Sequence, residues 1–305
     1  MNVVFMGTPD FSVECLKTVN ELYDVVGVFT QPDKPVGRKM VMTPPAVKVT
    51  ALELGLTVYQ PDSVKTDESY ELIKKLSPEL IVVVAYGKIL PKRILDLPKY
   101  GCVNVHASLL PKFRGASPIQ AAVLAGEKVT GVTTMLMDEG MDTGDILLTE
   151  ELEIAPDDTA GTMFDKLSVT GAELLKKTLP LLINNQLTPK KQDETAATYC
   201  GIIKKEMAHL DFTKTTDEVI NTVRGFSPWP VAYFIYGGKR VKVFSASSTD
   251  ENGEAGRVVC SDGRLVIATE DGAVEINELQ FEGAKRMKTA DALRGKTVLV
   301  GAKVE

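Results

Sequence analysis

Glu79-Leu80-Ile81-Val82-Val83-Val84-Ala85 is the densest apolar, β-branched run in the first two thirds of the chain. It shows no alternation, so both faces of the strand it forms must be covered. That is the texture of a central strand in a parallel sheet. Upstream, Val3-Val4-Phe5-Met6 and Val25-Val26-Gly27-Val28-Phe29-Thr30 have the same texture. Between them, Gly7-Thr8-Pro9-Asp10-Phe11 turns into a helix reaching about Asn20, with Thr8 as a cap and Pro9 in the first turn. Helices follow over Ala46 to Leu54 and Asp67 to Leu76, around a short strand at Thr57 to Tyr59. Downstream come a strand ending at His106, a helix from Ser117 to about Leu124, strands over Thr130 to Met137 and Ile146 to Leu152, and a helix running towards Ile183. Strands and helices alternate, which predicts an α/β domain over 1–184: a doubly wound, mostly parallel, Rossmann-like sheet. Gly7 stands alone and Gly-x-Gly-x-x-Gly is absent, which argues against a dinucleotide site.

The strand ending at His106 carries the chemistry. Asn104 and His106 are two residues apart, so both project to the same side where a buried strand runs out. A polar pair on an apolar strand is costly without partners. It is either a satisfied structural pair or two donors aimed at a developing oxyanion. A second polar feature is Asp138-Glu139-Gly140-Met141-Asp142-Thr143-Gly144-Asp145, an acidic loop whose ligand pattern does not fit an EF-hand. Ser108 lies outside any Gly-x-Ser-x-Gly elbow, so it reads as a pocket or loop-bracing residue rather than a nucleophile.

Asn104-Val105-His106-Ala107-Ser108-Leu109-Leu110-Pro111 resembles the signature of enzymes that use 10-formyltetrahydrofolate as a formyl donor. Its continuation, Lys112-Phe113-Arg114-Gly115-Ala116-Ser117-Pro118-Ile119-Gln120, is similar to the members of that family that formylate methionyl-tRNA. The resemblance implies transfer of the formyl group to the α-amino group of initiator methionyl-tRNA, with 10-formyltetrahydrofolate as donor, tetrahydrofolate as product and no metal. It implies Asn104, His106 and Asp142 as catalytic residues. It puts Lys88, Ile89, Leu90, Ser108, Leu109, Leu110 and Pro111 around the folate, and turns Gly7-Thr8-Pro9 towards the acceptor. Relatives that act on an amino-sugar nucleotide or a glycinamide ribonucleotide, or that pass the formyl group to water, are the alternatives. Packing beneath the loop is the plainer reading of Ile89 and Leu90.

Gln31 to Pro45 holds four prolines and a glycine, so it reads as a long loop rather than a helix or central strand. Lys34, Arg38 and Lys39 outweigh Asp33, and Met40-Val41-Met42 form an apolar tip. Under the resemblance this inserted loop meets tRNA through Arg38 and Lys39.

Beyond residue 184 the texture changes. Residues 185–205 read as a polar linker. A helix over Asp217 to Phe226 precedes five short apolar runs between Ala232 and Leu279, separated by Gly237-Gly238, Asp262-Gly263 and Asp271-Gly272. These predict a small OB-like β-barrel over 206–305. Lys239 and Arg240, with Lys242, Lys285, Arg286 and Lys288, offer it a basic face for RNA, under the resemblance a tRNA-binding face. Trp229, the only tryptophan, is expected as a core anchor and His209 as a structural or surface residue.

Composition sets outer bounds. The net charge is −6; residues 201–305 hold 15 Lys+Arg and 15 Asp+Glu, so any nucleic acid must meet local basic patches. The four cysteines are widely spaced and only two histidines occur, which leaves no zinc or disulfide framework. No apolar run approaches a membrane span, and the N-terminus lacks a signal-peptide pattern. The expectation is a cytoplasmic monomer.

Overall fold

The computed structural model describes residues 1–37, 40–295 and 298–305. The chain divides into two compact units. The first comprises Met1–Ala116, Val129–Glu153 and Phe164–Cys200, and the second Ser117–Lys128, Ile154–Met163 and Gly201–Glu305.

In the first unit the strands are β1 (Asn2–Gly7), β2 (Asp24–Phe29), β3 (Lys34–Val36), β4 (Val41–Thr43), β5 (Val58–Tyr59), β6 (Leu80–Val84), β7 (Cys102–His106), β8 (Arg114–Gly115), β9 (Val129–Leu136), β10 (Ile146–Glu153) and β11 (Tyr199–Cys200). Seven form one sheet in the order β10-β9-β7-β6-β1-β2-β5. The pairings β7–β6, β6–β1, β1–β2 and β2–β5 are parallel, and β9 runs antiparallel to both β7 and β10. Every residue of β6 is buried, as its unbroken apolar run requires. Each such side chain contributes about 1.5–3 kcal/mol of transfer free energy.

The strand order fixes where a ligand fits. The chain builds outward from β1 through β2 to β5, then returns to the other side of β1 with β6. The crevice at the carboxyl ends of β1 and β6 is therefore the topological switch point, where open α/β sheets bind ligands. The loops flanking it are tied together: Thr8 Oγ1 donates to the Tyr86 carbonyl at 3.0 Å, and Gln31 Nε2 to the same oxygen at 3.1 Å. Thr8 therefore bridges loops instead of capping a helix, and α1 (Val13–Leu22) begins only after a short 3-10 turn at Asp10–Ser12. Gly7 is required by crowding, since a Cβ there would lie 2.9 Å from Ser12 Cβ.

Around the sheet lie α2 (Ala46–Glu53), α3 (Asp67–Lys75) and α4 (Lys92–Leu95). The segment read as a long loop contains a small antiparallel hairpin, β3 with β4. Proline does not prevent this, because Pro35 sits in an exposed two-stranded edge. Asp33 at its base accepts from Lys48 Nζ and Gln60 Nε2, each at 2.8 Å.

In the second unit, α5 (Pro118–Leu124) packs on α7 (Thr216–Gly225), with Leu124 against a cluster of Ile203, Ala208 and Phe226. This is why 117–128 group with the C-terminal half although they precede residue 184. The helix α6 (Ala160–Ile183) contributes residues to both units. The β elements here are β12 (Tyr233–Tyr236), β13 (Lys239–Thr249), β14 (Val258–Cys260), β15 (Leu265–Ala268), β16 (Ala273–Phe281) and β17 (Met287–Lys288), followed by α8 (Thr289–Arg294). The sheet runs β12-β13-β16-β15-β14, all antiparallel. The C-terminal segment joins its two edges: Glu305 exchanges both backbone hydrogen bonds with Ile235 of β12, while Ala302 O and Gly301 N bond Val258 of β14. Closure of this kind removes free edges. Trp229 is 53% exposed, contrary to its expected core place; Phe226, 2% exposed, fills the core instead. His209 stacks on Tyr233 at 5.0 Å.

No described helix is long and apolar enough to cross a membrane.

Candidate active site

The site lies in the first unit, where β7 ends. Asn104 is half-buried and its side-chain amide meets no hydrogen-bond partner among the described residues. His106 is buried. Its Nε2 lies 3.0 Å from the Phe113 carbonyl, which only accepts, so Nε2 carries a proton and the ring is fixed in orientation. Nδ1 lies 3.7 Å from Asp142 Oδ2. That is too long for a hydrogen bond, so Nδ1 is the ring nitrogen left for a substrate.

Asp142 is held from both ends. Its Oδ2 accepts from the Gly115 N–H at 2.8 Å, and its backbone is left-handed, with φ 56°. Aspartate tolerates that region better than most residues. Asp142 O and Gly144 O each accept from Gln192 Nε2 at 2.7 Å. Asp138, in the same acidic loop, instead accepts from Thr143 Oγ1 and Gly140 N, bracing the loop internally.

The loop from Ser108 to Gly115 is self-braced. Ser108 Oγ donates to the Lys112 carbonyl at 2.6 Å, and Thr133 Oγ1 donates to the Ser108 carbonyl at 2.7 Å while accepting from Leu110 N at 3.1 Å. Leu110 is buried; Leu109 and Pro111 are half-buried. Beneath the loop, Arg114 is fully buried. All five of its N–H donors are used, on Gln192 Oε1, the Glu194 carboxylate and Tyr199 Oη at 2.8–3.2 Å. The pairing holds the Glu194 carboxyl below the usual range, chiefly through the Arg114 hydrogen bonds.

Residues 192–200 therefore do not behave as a linker. They lie along the 108–115 loop: β11 pairs with β8, Arg114 N donates to Thr198 O, and Phe113 N donates to Thr198 Oγ1. Sequence reasoning missed Gln192, Glu194 and Thr198, because a polar, aperiodic stretch has no pattern that distinguishes a solvated tether from a brace. Thr198-Tyr199-Cys200, a short β-prone trio, was the one available signal.

At the end of β6 the expected folate residues separate. Lys88 Nζ donates to the carbonyls of Pro61 and Asp62, the latter at 2.8 Å, and burial lowers its pKa. Leu90 is 3% exposed and packs in the core. Ile89 is 69% exposed, so it does not pack beneath the loop.

Of the basic residues expected to meet tRNA, Arg38 and Lys39 lie outside the described residues. The flanking tip residues Met40, Val41 and Met42 are each 58–65% exposed. In the second unit, Lys239 and Arg240 are exposed on β13, with the Arg240 guanidinium 3.9 Å from the Tyr233 ring centroid. Arg286 pairs with Glu278, which neutralises part of the basic face.

Comparison with known proteins bears on the family and the fold. Residues 1–179 match the formyl transferase family, and residues 202–297 match the formyl transferase C-terminal domain. The methionyl-tRNA formyltransferase of Macrococcus caseolyticus is 48% identical over 99% of this chain and 98% of its own. That of Bacillus mycoides is 49% identical over 100% of this chain and 98% of its own. Among solved structures, an N-formyltransferase from Helicobacter canadensis, in complex with folinic acid and dTDP-3-aminofucose, superposes with TM-score 0.70 at 21% identity, covering 93% of this chain and 99% of its own. HypX from Aquifex aeolicus, with tetrahydrofolic acid, gives 0.62 at 19% identity, over 95% of this chain and 46% of its own. At that identity the two structures speak for the fold alone. A two-part match along the chain, together with near-half identity over its full length, makes this protein a member of the formyl transferase family, in its methionyl-tRNA formyltransferase branch.

Proposed function

We propose that this protein transfers the formyl group of 10-formyltetrahydrofolate to the α-amino group of initiator methionyl-tRNA, as a monomer in the cytoplasm. The observation that carries the reading is the approach of His106 Nδ1 to the Asp142 carboxylate at 3.7 Å, beside an Asn104 amide that has no hydrogen-bond partner among the described residues. The amine attacks the formyl carbon, and negative charge builds on the formyl oxygen. Asn104, and His106 when Nδ1 carries a proton, donate to that oxygen, each such donor being worth about 10²–10³ in rate. Asp142 takes the proton that the attacking amine loses. A new C–N bond forms to the methionyl nitrogen, the bond to folate N10 breaks, and N10 leaves with the proton that Asp142 took from the amine. No covalent enzyme intermediate is needed.

Exposed Ile89 at the switch-point crevice, together with Leu109, Leu110 and Pro111, supplies the apolar contact for the pterin. Lys88 shapes that pocket by holding the 61–62 segment. Exposed Met40-Val41-Met42, with Arg38 and Lys39, suits a nucleic-acid end, and Lys239 and Arg240 suit its backbone. The test is a formyl-transfer assay offering methionyl-tRNA, uncharged tRNA and a dTDP-amino sugar in turn, with formate release followed in parallel. The reading expects turnover with methionyl-tRNA alone. Turnover with the amino sugar, or formate release at the same rate without an acceptor, overturns it.

A further inference from the structure

We infer that Gln192 is a positioning residue for the formyl-transfer centre, setting the Asp142 carboxylate against His106. The inference rests on the functional reading above and extends it to a residue outside the catalytic triad of side chains.

The Gln192 amide is used to capacity. Its NH2 donates to Asp142 O and Gly144 O, both at 2.7 Å, and its Oε1 accepts from Arg114 Nε at 3.0 Å and Nη2 at 2.8 Å. The orientation of the amide follows from its partners: the carbonyls require the NH2 end and the guanidinium requires the oxygen. One side chain thus ties the backbone on both sides of Thr143 to a cation that is itself fully buried and bonded through every N–H. The loop it holds has little other freedom. A Cβ on Gly144 would come within 1.7 Å of Leu136 O, so the backbone passes that strand as closely as glycine permits. Asp142 sits in the left-handed region that few residues adopt unaided. Gly115 N fixes the carboxylate, but only while the Asp142 backbone stays in place. Asp138 braces the loop from within and Leu136 N bonds Asp145 O, but Gln192 is the side chain that bonds the carbonyls of Asp142 and Gly144 themselves.

The test uses Gln192→Glu and Gln192→Met in the full chain. Glutamate keeps the acceptor for Arg114 and loses the donors to the loop; methionine keeps the shape and loses both. If Gln192 positions Asp142, both variants lower kcat per folded molecule by about 10- to 100-fold, the penalty for roughly 1 Å of misplacement. KM for folate and for methionyl-tRNA stays within about 3-fold. An independent readout comes from the two histidines. In protein labelled with ¹⁵N-histidine, the His106 ring resonances shift in both variants, while those of His209, stacked on Tyr233, stay fixed. Wild-type kcat in Gln192→Glu, or unshifted His106 resonances in the folded variants, overturns the inference. If the wild type itself does not formylate methionyl-tRNA, the functional reading falls, and the histidine resonances still decide whether Gln192 sets the Asp142–His106 geometry.

Discussion

The Gly115 N–H that holds Asp142 cannot be deleted by an ordinary substitution, but it can be moved. Gly115 has φ 118°, and a Cβ on it would lie 2.2 Å from the Cys200 carbonyl oxygen. Gly115→Ala must open that contact by about 1 Å to reach ordinary van der Waals separation. Occupying this backbone region with an L side chain costs about 1–3 kcal/mol. The displacement also breaks the Arg114 N to Thr198 O and Ala116 N to Cys200 O hydrogen bonds, each worth about 1 kcal/mol. The expected loss is about 3–5 kcal/mol, read as a fall in Tm of roughly 10 °C. The same movement pulls the donor from Asp142 Oδ2, and kcat falls about 100-fold. Gly201→Ala, one residue past β11, meets nothing within 4 Å and serves as the control. Thermal melts and single-turnover formylation of both variants are the assay. Wild-type Tm and kcat in Gly115→Ala would refute the claim that this close approach fixes the carboxylate.

Other outcomes follow from the same geometry. Asn104→Ala leaves the fold intact and lowers kcat by about 10²–10³, with little change in KM, as steady-state kinetics will report. Burial pushes the thiols of Cys15 and Cys102 up to about 12, so iodoacetamide followed by mass spectrometry labels Cys200 and Cys260 well before them in the native protein. The Glu194 carboxyl is lowered by its Arg114 hydrogen bonds, so its contribution to stability is full above the unfolded value of about 4.3 and is lost as pH falls through the lower folded value. Melts of Glu194→Gln and wild type should differ most at neutral pH, and the gap should begin to narrow only once pH falls below about 4; a gap that is constant across the whole range, or that widens with acid, contradicts this.

Much of the first unit was legible because its strands are covered on both faces. The unbroken, short and largely β-branched runs at Val3–Met6 and Leu80–Val84 read as buried strands, and they form β1 and β6 side by side. Asn104 and His106 were legible because polar residues on such a strand have to be explained. The brace from 192 to 200 was not legible, since its contribution comes from side-chain hydrogen bonds that leave no periodicity. The hairpin β3–β4 was hidden by its prolines, which an exposed edge tolerates. Thr8 looked like a cap because Thr-Pro often is one; it bonds across to Tyr86 O, a partner 78 residues away that only the sheet order brings near. Closure of the second unit by residues 301–305 depends on the two sheet edges coming together, which local pattern does not encode.

The central claim is that Asn104, His106 and Asp142 move a formyl group to an amine. Its most direct test is the single-turnover rate of N-formylmethionyl-tRNA formation from 10-formyltetrahydrofolate by wild type and Asp142→Asn, with folate affinity measured on both. The account predicts rapid transfer by wild type and a rate at least about 10³-fold lower in the variant, at similar folate affinity. Equal rates in the two proteins would contradict it.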